Sequence, residues 1–182
     1  MIYFNIKNII VFPIFYFALL ISSCVSAHDC SPKLPQEIYK TLNTSYKDYR
    51  VLRVSDLNEE DQVIWKNSYK NICPGVVHGN FTENRKQYAV LLVPNNGDRK
   101  DFKVVLFGNQ NGSSANAKEI LSEKIIGNLP VIRRSGPGIY IDRESNQRIS
   151  VKNDALLIEH LESKITAIVY TKNKFHLITI AD

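Results

Sequence analysis

The run Arg133-Arg134-Ser135-Gly136-Pro137-Gly138 holds the side chains best suited to grip a partner. Two adjacent guanidinium groups beside a glycine-containing turn can hold a carboxylate or a phosphate through forked, charge-assisted hydrogen bonds. The run lacks the lysine and the following helix of a phosphate-binding loop, so nucleotide binding does not follow from it. Its expected setting is a loop between strands, with Arg133 and Arg134 as the binding residues. A second exposed loop, rich in Asn, Gly and Ser, is expected over 109–117.

Other chemistries find less support. The histidines are His28, His78, His160 and His176. They form neither an HExxH pattern nor a close pair, so no metal-ligating set is expected. No Gly-x-Ser-x-Gly elbow and no cysteine-nucleophile context is present, and no cofactor is implied. Glu159 and Glu162 flank His160 in a stretch that reads as a hydrated turn. Of the three cysteines, Cys24 falls in an apolar opening segment, which leaves Cys30 and Cys73 to pair. Their disulfide would close a loop worth about 4 kcal/mol in the chain-entropy picture. It would pin the start of the folded chain to the turn Cys73-Pro74-Gly75.

Elements must position these residues. Pro35 followed by Ile38, Leu42 and Tyr46 at four-residue spacing predicts a helix over 35–46. Residues 50–55 permit a strand. Ser55, Asp56 and Asn58 supply capping oxygens ahead of Glu59, Glu60 and Asp61, and predict a second helix over about 58–69 with Val63, Ile64 and Trp65 inward. From residue 76 onward the pattern changes to short apolar runs bounded by turn residues. The runs at 76–81, 88–93, 102–107, 119–126, 138–141, 155–159, 165–170 and 175–180 predict eight strands, antiparallel because no helix-length insert separates them. Pro94-Asn95-Asn96-Gly97-Asp98 and Lys172-Asn173-Lys174 are hairpin turns. The expected fold class is therefore α+β: two short N-terminal helices followed by a mainly antiparallel sheet of about eight strands.

The stretch 79–92, with Asn80, Thr82, Glu83 and Asn84 ahead of Tyr88-Ala89-Val90-Leu91-Leu92, resembles the loop and strand of small exported bacterial FG-GAP-like proteins. That resemblance implies an exported β-rich protein whose loop binds calcium. Here Glu83 is the sole acid of the loop, whereas calcium needs several oxygen ligands, so the loop is expected to hold its shape without a metal ion.

The address is set by residues 1–27. Lys7 precedes an apolar run over 9–21, and Val25-Ser26-Ala27 offers small residues at a cleavage site. At about 1.5 Å per residue that run is short of the roughly 30 Å hydrocarbon core, so an export signal is expected rather than a permanent span. Two outcomes stay open: cleavage after Ala27, giving a periplasmic or secreted protein, or acylation at Cys24 in the lipobox-like Ile21-Ser22-Ser23-Cys24, giving an outer-membrane lipoprotein. Residues 28–182 then form a single exported domain, long enough for one core. Removing the leader takes away only Lys7, so 22 basic residues face 18 acidic ones and the net charge falls from +5 to +4. These charges are interspersed, which argues against nucleic acid as a partner.

The expected function is a non-enzymatic exported or cell-envelope binding protein, in its specific version an inhibitor or immunity-type protein that engages a protein partner through Arg133 and Arg134. The alternative is an envelope hydrolase whose site is assembled from distant strands, with His78 or His176 beside a carboxylate.

Overall fold

Pro35 opens the first helix, α1 (Gln36–Ser45), and its carbonyl accepts the Ile38 N–H at 3.0 Å. The computed structural model describes residues 33–70, 72–82, 86–96, 101–108, 116–161 and 163–181. Ile38 and Leu42, one turn apart, are buried, and Tyr46 packs beside them. The second helix, α2 (Glu59–Ser68), starts on a reciprocal cap. Asn58 Oδ1 accepts the Asp61 N–H at 2.8 Å, while Asn58 Nδ2 donates to Asp61 Oδ2 at 2.9 Å. Three acids in this first turn face the positive end of the helix dipole. Trp65 and, in part, Ile64 point inward as expected, but Val63 is 58% exposed. Two residues correspond to about 200° around a helix, so Val63 cannot share the face of Trp65.

Burial pushes the Asp61 carboxyl above its ordinary range, against the opposing hydrogen bond from Asn58. The folded state therefore binds this proton more tightly than the unfolded chain does. Its contribution to stability falls as pH rises through the window just above about 4, where the free carboxyl ionises. Asp61→Asn is expected to remove that slope from a series of urea midpoints across acidic pH. Parallel profiles for the two proteins would rule the assignment out.

The described residues form eleven strands. The first sheet contains β1 (Tyr49–Val51), β2 (Val76–Gly79), β3 (Gln87–Pro94), β4 (Asp101–Gly108) and β5 (Asn116–Lys124). β3 pairs with β4 and β4 with β5, while the other edge of β3 is shared. β2 takes one half, with Val76 opposite Val90, and β1 takes the other, with Val51 opposite Leu92. The second sheet contains β6 (Val131–Ser135), β9 (Ala155–Glu159), β10 (Ile165–Thr171) and β11 (Lys174–Ala181), in the order β11-β10-β9-β6. β7 (Gly138–Ile141) and β8 (Arg148–Val151) form a separate two-stranded hairpin. Each of these pairings is antiparallel. Lys172 and Asn173, at φ 50° and 61°, close the last hairpin with a two-residue left-handed turn.

The α+β, mainly antiparallel expectation holds. Two of its details are corrected: among the described residues there are eleven strands in three sheets instead of one sheet of about eight, and the helices are not an N-terminal pair, since β1 lies between them. β6 and β8 are the strands that the periodicity did not reveal. In β6 the two arginines occupy strand positions behind buried Val131 and Ile132, their long stems lying along the protein while their heads reach polar partners. β8 spans four residues, too few for alternation to stand out.

Ala89, Leu91 and Val93 of β3, with Phe102, Val104 and Leu106 of β4, face the second sheet. The intervening Val90, Leu92, Val105 and Phe107 face α1. Covering both faces explains why these strands read as unbroken apolar runs. The second sheet is treated likewise: Leu156, Ile158 and Ile168 join the central core, while Leu157, Val169 and Ile178 lie against Tyr140 and Val151 of the hairpin. Among the described residues no helix is long and apolar enough to cross a membrane.

Candidate functional site

The two principal sheets meet along β2 and β6, and the arginine pair sits at this seam. Ile132 N–H donates to the Pro74 carbonyl at 2.9 Å, and Asp154 N–H to the Asn80 carbonyl at 2.9 Å. Asn80 N–H returns a bond to Asp154 Oδ2 at 2.7 Å. Gly79 allows this approach. A Cβ there would lie 2.8 Å from Asp154 Oδ2 and 2.9 Å from Arg134 Cδ.

The structure separates the two arginines by role. Arg133 Nε donates to Glu159 Oε2 at 2.5 Å, and its guanidinium lies 5.0 Å from the centre of the Tyr69 ring. Tyr69 stacks in turn on Trp65, with ring centres 4.4 Å apart. Arg133 is thus held by a carboxylate and an aromatic face supplied by the protein itself. Arg134 reaches only to 3.9 Å from Asp154 Oδ2, and its side chain is 54% exposed. The expected loop over 133–138 is corrected accordingly: Arg133 and Arg134 belong to β6, where they lie opposite Leu157 and Leu156. The turn after them is fastened by Tyr140, whose hydroxyl sits 2.8 Å from Ser135 Oγ and donates to the Gly136 carbonyl at 2.6 Å.

A second polar constellation escaped the sequence reading. Tyr49 Oη donates to Asp101 Oδ2 at 2.6 Å. Lys103 Nζ lies 5.5 Å from the centre of the Tyr49 ring, donates to Glu119 Oε2 at 2.8 Å and reaches Ser122 Oγ at 3.5 Å. The hydrogen bond to Glu119 raises the Lys103 ammonium above its usual range; burial, with Glu119 adding to it, pushes the Tyr46 phenol up. Both groups stay protonated at neutral pH and can donate hydrogen bonds. The signal was the alternation of Asp101 and Lys103 with Phe102 and Val104. It marks the polar positions of β4 but cannot say that Tyr49 and Glu119 meet them.

His78 is exposed on β2, with its ring centre 6.3 Å from that of Tyr88, and His176 is exposed on β11 opposite Val169. His160 lies in the turn that follows β9. Among the described residues no three His, Cys, Asp or Glu side chains are grouped to hold a metal ion. Cys73 is half-buried beside the seam, whereas Cys24, Cys30, His28, Glu162, the loop residues 109–115 and the FG-GAP-like residues 83–85 lie outside the described residues. Asn116 and Ala117, expected in that loop, open β5. Compared with protein-family models, curated proteins and solved structures, the chain matches none.

Proposed function

We propose that this is a non-enzymatic binding protein of the cell envelope or its exterior, of the inhibitor or immunity type, and that Arg134 is its central contact residue. The observation carrying this reading is the contrast within the pair. Arg133 spends its fork on Glu159 and Tyr69, while Arg134 offers an exposed fork from a stem lying against Gly79 at the seam. A guanidinium carried on a packed stem loses less freedom on meeting a carboxylate than one on a free stem. The export signal over 1–27, cleavage after Ala27 or acylation at Cys24, and the Cys30–Cys73 disulfide belong to the same reading. Intact mass of the exported protein distinguishes these forms.

Capture of a partner from envelope extract by the immobilised protein tests the contact. Arg134→Ala is expected to weaken capture about thirtyfold, as for a central arginine at an interface. Arg134→Lys should recover only part of it, because the charge returns without the fork. Arg133→Ala is expected to lower the melting temperature as well as capture. Undiminished capture by Arg134→Ala would remove Arg134 from the contact.

A further inference from the structure

The hairpin β7–β8 covers the second sheet with one face and leaves the other uncovered. Tyr140, Ile149 and Val151 turn inward against that sheet. Alternation sends Ile139, Ile141, Arg148 and Ser150 outward, with Ile141 opposite Arg148 and Ile139 opposite Ser150. Ile139 is 68% exposed and Ile141 47%. Arg143 and Lys152, also exposed, flank the two ends of this face in the chain. Among the described residues the side chains of Arg143, Arg148 and Lys152 make no ion pair or hydrogen bond.

Two carboxylates, Asp142 and Glu144, lie in the turn between these strands and keep their charge. Asp142 Oδ2 accepts the Ser145 hydroxyl at 2.5 Å, and its other oxygen lies 3.3 Å from the Glu144 N–H that donates to it. Glu144 Oε1 accepts the Thr179 hydroxyl at 2.8 Å and lies 3.8 Å from Lys164 Nζ. The outer face therefore carries Ile139, Ile141 and Arg148, with Arg143 and Lys152 flanking it in the chain, so that three cations without an ion pair among the described residues outnumber the two carboxylates of the turn, Asp142 and Glu144. Two isoleucines fall far short of the roughly 800 Å² per partner that a stable protein–protein interface buries. The same pattern suits a lipid surface, where apolar side chains enter the acyl boundary and arginines meet anionic headgroups.

We infer that the outer face of the β7–β8 hairpin rests on an anionic membrane surface, with Ile139 and Ile141 inserted and Arg143, Arg148 and Lys152 against lipid phosphates. This contact is independent of the one assigned to Arg134. It is tested by co-sedimentation of the purified exported protein, carrying Cys24→Ser so that no attached lipid can substitute for the hairpin. The vesicles are phosphatidylcholine alone and phosphatidylcholine mixed with phosphatidylglycerol. Binding is expected only to the mixed vesicles and should weaken with added salt. Ile139→Ser with Ile141→Ser is expected to weaken it at least tenfold. Arg148→Glu should also weaken it at least tenfold, since removing one cation alone costs about fivefold and reversal adds repulsion. Melting temperatures should hold, all three side chains being exposed, and Arg134→Ala should bind vesicles like the parent. Binding that ignores lipid charge, or hairpin variants that bind as the parent does, would overturn the inference. So would absence of vesicle binding, and if the hairpin variants then lost capture of an acidic protein, the face would belong to that protein.

Discussion

Gly75→Ala is expected to lower the melting temperature by about 6–12 °C, the shift that a loss of about 3 kcal/mol produces in a chain of this size. A Cβ at this buried position would stand 2.5 Å from the Leu52 carbonyl oxygen and 2.9 Å from both Leu52 N and Leu52 Cβ. Backbone atoms cannot rotate away as the end of a side chain can. Leu52 is further held because its N–H donates to the Leu91 carbonyl at 3.0 Å, while Leu91 N–H donates to the Gly75 carbonyl at 2.8 Å. Pro74, one residue earlier, accepts Ile132 N–H from the second sheet. Moving residue 75 outward would thus strain the shared edge of the first sheet and the seam with the second together. Gly136→Ala is the control, since a Cβ there meets nothing within 4 Å. Its melting temperature should stay near that of the parent. A Gly75→Ala protein that melts with the control would show that Leu52 does not pack over this glycine.

Local signals in the sequence marked most of the elements, and long-range pairing decided what they missed. The helices expected over 35–46 and about 58–69 are found at Gln36–Ser45 and Glu59–Ser68, because caps and one-turn spacings are properties of neighbouring residues. The Lys172-Asn173 turn was legible for the same reason. β6 was not. Arg133 and Arg134 read as solvated loop residues until Glu159, Tyr69 and Asp154 arrive from other elements to receive them. Their residue types were sufficient to mark them as candidates, but the division of labour between them depends on which carboxylate each one meets. The Tyr49, Asp101, Lys103 and Glu119 constellation was invisible for the related reason that β1, β4 and β5 contribute to it from separate stretches of chain. The outward isoleucines of β7 were hidden by β8. Without a partner strand, the run at 138–141 gives no indication of which side faces the core.

Trp65→Ala should destabilise the fold by about 3–5 kcal/mol, as removal of a large core aromatic does. Trp65 is 1% exposed in the central core between the two sheets. Its indole N–H donates to the Ile72 carbonyl at 2.8 Å, which ties the end of α2 to the segment entering the seam. Trp65→Phe keeps the ring against Tyr69 but drops the hydrogen bond, so a smaller loss of about 1–2 kcal/mol is expected. The sharper test concerns Arg133, because Tyr69 is stacked on Trp65 from one direction and on the Arg133 guanidinium from another. Removing Trp65 leaves Tyr69 without its support, and Arg133 then loses its aromatic face. The losses for Trp65→Ala and Arg133→Ala should therefore fail to add, the double variant being more stable than their sum by about 0.5–1 kcal/mol. Denaturant midpoints of the four proteins in the cycle measure this directly. Strict additivity would mean that Tyr69 does not link the core to Arg133, and that the arginine is positioned by Glu159 alone.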